Sequence, residues 1–173
     1  MLAGNSTPLV WHAASWPRAP WTLLTASLVH LSTLHLLGNL LALGALAALG
    51  WAWRADSRAA LAWLVAWPLG TLGLLLWPSV TAYAGLSGLL HAGAAVLWAH
   101  ATGRPGFKPW SFVLFAGLGL KLMVEHAWSQ PLAHQPFWGF DVVTAAHLTG
   151  TLAGAACGLL LRRWGPACDD PRP

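Results

Sequence analysis

Charge is scarce in this chain, since only 8% of its 173 residues are Asp, Glu, Lys or Arg. Soluble domains carry about 25%. So little charge cannot cover a soluble surface, and the 57% apolar content predicts an integral membrane protein. The apolar content also excludes disorder, which requires low hydrophobicity and high charge. Cysteine is equally sparse, because only Cys157 and Cys168 are present, and this excludes a disulfide scaffold.

The basic residues are scattered over the sequence and form no cluster, although the net charge is +4. A nucleic-acid partner is therefore not expected, and the lipid bilayer is the expected environment. In a membrane protein the main effect of such residues is to fix topology.

Long apolar runs are abundant, and each is close to the roughly 20 residues that cross a bilayer as a helix. The sequence predicts five such spans in an all-α polytopic bundle: 31–53, 58–77, 84–101, 110–128 and 142–161. We expect residues 1–173 to form a single membrane domain. Within it, the Trp- and Pro-rich segment 1–30 is predicted to be an outer interfacial loop, and residues 164–173 a cytoplasmic tail. No cleavable signal peptide is predicted.

Positive charges outside the runs fall almost entirely on one side of the predicted bundle. With five spans, the loops after the first, third and fifth runs share that side, and only Arg18 lies on the other. Positive loops stay in the cytoplasm, so the N-terminus and the loops at 78–83 and 129–141 are predicted outside. The seven charges on the cytoplasmic side are Arg54, Arg58, Arg104, Lys108, Arg162, Arg163 and Arg172.

Polar residues recur near the outer ends of three predicted spans. The first run carries His35 and Asn39, the third begins around Ser87, and the fifth has His147 about one and a half turns in. Polar groups at membrane depth are costly and mark functional sites. Their shared depth predicts one site built from three helices.

These residue types suit acyl transfer. A serine hydroxyl needs a base to become nucleophilic, and histidine is the usual base. His35 and Asn39 are four apart, so they share one helix face. Backbone N–H groups around Ser87 and Gly88 lie at a helix start, where they favour an oxyanion. The pattern indicates a Ser–His pair without requiring an acidic third member.

Glycine spacing supports this convergence. Gly150, Gly154 and Gly158 recur every four residues on the His147 helix, and Gly85 and Gly88 flank Ser87. Small residues at that spacing let membrane helices approach closely. Ordinary packing of membrane helices is the alternative explanation of the same spacing.

Three motifs in order resemble those of rhomboid intramembrane serine proteases. His30 to Asn39 resembles their His-xxxx-His-xxx-Asn segment, Gly85-Leu86-Ser87-Gly88 their Gly-x-Ser-Gly motif, and Ala146 to Gly154 their Ala-His-xx-Gly-xxx-Gly helix. The resemblance covers about residues 20–162. It implies Ser87 as nucleophile, His147 as general base, and His35 and Asn39 as oxyanion stabilisers.

The sequence departs from the family in two places. Rhomboids have six core helices, and the one without a counterpart among the five runs is the first. A start further upstream and a chain that works without this helix are both compatible with the sequence. The first loop also has Trp21-Thr22 where rhomboids often carry Trp-Arg.

The segment from Gly85 to His91, together with Lys121 and Glu125 on the following span, resembles the rhombosortase branch of the family. That resemblance implies a small bacterial enzyme of the inner membrane with its site toward the outer side. It also implies substrates with Gly-Gly before a C-terminal membrane anchor and basic tail.

Other polar residues have competing explanations. His30 is expected to brace the loop rather than to touch substrate. His91 either binds backbone or lines the substrate path. Lys121 and Glu125 are four apart, which predicts an internal ion pair, with recognition of a substrate amine or backbone by Glu125 as the alternative. No carboxylate or thiolate completes a metal site at His30 and His35, so no metal and no cofactor are expected.

Together these patterns predict an intramembrane serine endopeptidase that cleaves transmembrane segments of membrane proteins. The alternative is a catalytically inactive relative that only binds transmembrane helices.

Overall fold

A computed structural model describes residues 8–102 and 104–163 of the chain. The predicted cytoplasmic tail at 164–173 lies outside the described residues. Short elements come first: strand β1 (Trp11–His12), a 3-10 turn (Trp16–Arg18), helix α1 (Thr22–Thr25) and a second 3-10 turn (Ala26–Leu28). None of these is long enough to span a membrane, as predicted for this segment.

Five long helices follow, and each falls on one of the five predicted apolar runs. Three are long and apolar enough to cross a bilayer, over Thr33–Ala52, Ser57–Leu76 and Thr144–Arg162. The prediction of an all-α membrane bundle is therefore confirmed. The five helices are α2 (Thr33–Ala52), α3 (Ser57–Leu72, extended by a 3-10 turn Gly73–Leu76), α4 (Ser87–Thr102), α5 (Lys108–Val124, after a 3-10 turn Pro105–Phe107) and α6 (Thr144–Arg163).

Side-chain caps fix where two of these helices begin. The Ser32 hydroxyl accepts the His35 N–H at 3.1 Å, and the Asp56 carboxylate accepts the N–H groups of Arg58 and Ala59 at 3.1 and 3.0 Å. Such caps satisfy donors that the first helical turn leaves free. Because Ser32 starts α2, His35 and Asn39 both lie in its first two turns.

Helix α4 is the central element of the bundle. It packs most extensively against α6 and also contacts α2, α3 and α5, so most of its side chains are buried. The non-helical segment that leads into it pairs with the N-terminal part, because β1 is antiparallel to β2 (Ala82–Tyr83). Irregular backbone is tolerated near a membrane where protein covers it.

A β-hairpin joins α5 to α6. It pairs β3 (Ala133–Gln135) with β4 (Phe140–Val142) in antiparallel register, with Gln135 opposite Phe140. Strand β2 and this hairpin both lie at the end of the bundle where α4 and α6 begin, and they line a cavity beside Ser87.

The loops predicted to be cytoplasmic meet at the opposite end. The Arg104 guanidinium donates to the carbonyls of Trp53 and Arg54, each at 3.2 Å. Arg162 donates to the Ala99 carbonyl at 3.3 Å and to the Thr102 hydroxyl. The basic loops after α2 and α4 and the end of α6 therefore share one end, as the charge pattern predicts.

Candidate active site

Ser87 and His147 contact each other directly. Ser87 is the first residue of α4 and His147 lies in the first turn of α6, so both project from the same end of two packed helices. Serine Oγ and histidine Nε2 are 3.0 Å apart, and the His147 side chain is only 4% exposed. The predicted convergence of these two helices is thus present at hydrogen-bond distance.

A tight turn before α4 sets the position of Ser87. Gly85 has φ +131°, a conformation that L side chains rarely adopt, and a Cβ there would lie 3.2 Å from the His35 ring. Its N–H donates to the Ala26 carbonyl at 3.0 Å, and its carbonyl accepts the Tyr83 hydroxyl at 2.6 Å. Burial raises the pKa of Tyr83, so the phenol stays protonated and keeps donating.

Glycines bring α4 and α6 into backbone contact. A Cβ on Gly150 would overlap the Gly88 carbonyl, and one on Gly154 would overlap the Ala92 carbonyl. The predicted small-residue face on α6 therefore meets α4 along its length. This close approach keeps His147 beside Ser87.

Glu125 contacts the other nitrogen of the same histidine. It follows the last residue of α5, and its Oε2 lies 2.7 Å from His147 Nδ1. Its second oxygen, Oε1, accepts from Lys121 Nζ at 2.6 Å. Lys121, Glu125, His147 and Ser87 thus form one continuous chain of hydrogen bonds.

His91 lies one turn after Ser87 on α4 and contacts both Ser87 and His147. Its Nδ1–H donates to the Ser87 carbonyl at 2.7 Å. Its ring stacks on His147, with centroids 4.2 Å apart and planes 10° from parallel. His91 therefore fixes the backbone of Ser87 and one face of the His147 ring.

His35 and Asn39 face the same cavity from α2. Both side chains are buried, and among the described residues His35 Nδ1 and Asn39 Nδ2 have no hydrogen-bond partner. Buried polar atoms without partners are uncommon and need a reason. His30, in contrast, lies within 3.3 Å of the Leu28 carbonyl and packs edge-on against His35, which fits the predicted bracing role.

An open cavity of about 810 Å³ joins these groups. The β3–β4 hairpin covers one side of it, and the Phe140 ring lies 5.1 Å from that of His35. The polar residues that line it are His35, Asn39, Ser87, His91, Lys121, Glu125, Gln130, His134, Gln135 and His147.

The family model of the Rhomboid domain matches residues 17–164. The chain belongs to the rhomboid family. Rhomboids are intramembrane serine proteases that act on transmembrane proteins, so this is an integral membrane protein of a protease family. No curated protein and no solved structure is significantly similar to it.

One cluster in this rhomboid has metal-binding residue types. Ligand atoms of His91, Glu125 and His147 lie within 4.8 Å of one another. The two imidazole planes are stacked and nearly parallel, however, so their in-plane lone pairs do not converge on one point. The arrangement suits hydrogen bonding better than metal binding.

The sequence pattern predicts that most of these groups lie together but did not reveal every contact of the rhomboid site. It predicted the Lys121–Glu125 ion pair, which is present, and did not predict that Glu125 also reaches His147. The sequence does indicate that Glu125 belongs to the site, because it is the only glutamate in the sequence and lies near the outer end of an apolar run. Its position in the run places Glu125 at the same membrane depth as Ser87 and His147.

Proposed function

We propose that this rhomboid is an active intramembrane serine endopeptidase, with Ser87 as nucleophile and His147 as general base. The observation that carries the proposal is the 3.0 Å contact between Ser87 Oγ and His147 Nε2 at the edge of an open polar cavity. Nucleophile and base within this distance are the signature of an activated serine.

The chemistry follows from that contact. His147 Nε2 removes the hydroxyl proton while Ser87 Oγ bonds to the scissile carbonyl carbon, whose π electrons move onto oxygen. The protonated histidine then gives its proton to the leaving amine, and the peptide bond breaks to leave an acyl-serine. Water from the cavity, activated by the same histidine, hydrolyses that ester and restores Ser87.

The oxyanion formed in this step needs donors already in place. We assign this role to His35, Asn39 and the backbone N–H of Gly88. The two side chains carry the unpartnered buried nitrogens of the cavity wall, and Gly88 lies in the first turn of α4, where N–H groups lack helical acceptors. A substrate oxyanion would supply the missing acceptor for Asn39 Nδ2.

Replacing Asn39 by alanine should lower kcat by about 10²- to 10³-fold and leave KM nearly unchanged, because an oxyanion donor acts mainly in the transition state. Peptide-substrate kinetics on the purified protein would measure both constants. Leu40→Ala, at the exposed neighbouring position of α2, is the control and should retain wild-type kcat. A wild-type kcat for Asn39→Ala would remove this residue from the site.

The proposed substrates are transmembrane segments with a Gly-Gly sequence at their outer end, as in C-terminal anchors processed by rhombosortases. The Gly85–His91 segment supports this subtype by resemblance. Ser87 is the first residue of α4, so only the terminal turn of a substrate helix can reach it. Glycine favours unwinding of that turn by about 1 kcal/mol per residue relative to alanine. Its lack of a Cβ also suits the position beside Gly85, where a Cβ on Gly85 itself would lie only 3.2 Å from the His35 ring.

We further propose a bacterial inner-membrane location with the cavity facing outward. Seven positive charges against one favour this orientation, since basic loops stay in the cytoplasm. The basic end of the bundle lies opposite the end that holds Ser87, so the cavity opens near the outer surface. Residues 1–30 would then lie at the outer interface.

A tagged substrate tests specificity and orientation together. It carries an outer domain, a Gly-Gly pair, a membrane helix and a basic tail, and we expect cleavage at least about tenfold faster than in a Val-Val version. The released domain should appear on the outer side of the membrane, as shown by fractionation and immunoblotting.

Equal cleavage of both versions would contradict the Gly-Gly preference and leave a general rhomboid protease. Release into the cytoplasm would contradict the orientation. Binding of the substrate without cleavage of either version would favour the alternative, an inactive relative that only holds transmembrane helices.

A further inference from the structure

We propose that Glu125 is a positioning residue for His147, so that the site works as a Ser87–His147–Glu125 triad with Lys121 holding the carboxylate. The inference rests on the proposed function and assigns Glu125 a part in the same reaction.

Glu125 selects the tautomer of His147 that the reaction needs. Its Nε2 can accept the Ser87 proton only if the ring hydrogen is on Nδ1. A carboxylate oxygen 2.7 Å from Nδ1 can only accept, so it selects that tautomer. A hydrogen bond on the second nitrogen is what fixes histidine tautomers in general.

Glu125 also stabilises the positive charge that His147 acquires during the reaction. When the Ser87 proton moves to Nε2, the ring becomes an imidazolium while Nδ1–H stays in place. The His147 and Glu125 side chains are only 4% and 14% exposed, so water screens their interaction weakly. A fixed negative charge at this distance stabilises the cation that forms with the oxyanion.

Lys121 pairs with the Glu125 carboxylate and orients it. A carboxylate near the membrane is costly unless it is paired. Lys121 binds Oε1 at 2.6 Å and leaves Oε2 for the histidine, so the two contacts use different oxygens. The ion pair and the bond to His147 are therefore compatible, and the pair orients the carboxylate.

The other neighbour of the His147 ring, His91, cannot replace Glu125 in this role. His91 stacks on one face of His147 but contacts the Ser87 carbonyl through its own Nδ1, so it offers His147 no in-plane hydrogen bond. Among the described residues, Glu125 is the acidic group that His147 contacts. Glu125 lies directly after the end of α5 and meets this histidine 2.7 Å from its Nδ1.

Kinetics of three variants and one control test the role. Glu125→Gln should lower kcat by about 10²- to 10⁴-fold with KM nearly unchanged, as expected when a triad histidine loses its carboxylate. Glu125→Asp should retain more activity than Glu125→Gln. The double variant Lys121→Met/Glu125→Gln leaves no charge unpaired and should fold well, yet show the low kcat of Glu125→Gln.

Asp56→Asn is the matched control. Asp56 also faces a histidine, with its Oδ1 3.9 Å from His100 Nδ1, but at the opposite end of the bundle, and asparagine caps α3 equally well. Its kcat should stay within twofold of wild type.

Other outcomes overturn the role. If Glu125→Gln or the double variant keeps the wild-type kcat, or if only thermal stability falls, Glu125 is a structural partner of Lys121 and the Ser87–His147 proposal stands. If the wild-type protein itself cleaves nothing and its Ser87 takes up no fluorophosphonate, the proposed function fails, and the triad with it.

Discussion

Alanine at Ser87 or at His147 is expected to abolish proteolysis, with kcat about 10⁴- to 10⁶-fold below that of the wild type. Ser87 supplies the only nucleophile in the proposed mechanism, and His147 is the group 3.0 Å away that activates it. Because the two act as one unit, the double variant should be no less active than either single variant. Cleavage of a peptide substrate in detergent measures these rates.

A fluorophosphonate probe shows whether Ser87 is activated as a nucleophile, and not only whether the serine is present. It should label the wild-type protein and not His147→Ala, although Ser87 is intact in that variant. Ser57→Ala is the matched control, since Ser57 also begins a helix but at the other end of the bundle, and it should label normally. Labelling of Ser87→Ala would mean that a different serine reacts, and this would overturn the assignment.

The sequence was enough to predict the convergence of Ser87 and His147, because that prediction needs only depth and facing surfaces. Charge counting placed both residues at one end, and the four-residue glycine spacing on α6 indicated the face that meets α4. The charge count and the glycine spacing both come directly from the sequence, so neither requires the tertiary structure.

The direct contact between Glu125 and His147 needs more than depth, which places Glu125 only at the level of the site. It depends on the rotation of α5 about its own axis, and the apolar surface of that helix gives no signal for which side faces α6. The pattern of Lys121 and Glu125 four residues apart is local and predicted their ion pair correctly. The stacking of His91 on His147 likewise depends on the spacing of two helices, which backbone contact sets.

The backbone contact between α4 and α6 can be tested by substitution at Gly150. Valine at Gly150 should destabilise the protein by about 3 kcal/mol or more and lower kcat by at least about 10²-fold. A Cβ there would overlap the Gly88 carbonyl, and Gly70 of α3 lies on another side, where its own added Cβ would be 3.2 Å from the Gly150 Cα. The atoms nearest that Cβ are backbone atoms of Gly88 in α4, so no side chain can rotate away and α6 must move.

Such a movement acts directly on the chemistry, because Gly150 lies one turn after His147. Gly119→Val on α5 is the control, since nothing lies within 4 Å of a Cβ built there. Thermal unfolding in detergent and the kcat of the remaining folded protein should both be near wild type for Gly119→Val and reduced for Gly150→Val. Equal behaviour of the two variants would show that the α4–α6 contact does not hold His147 beside Ser87.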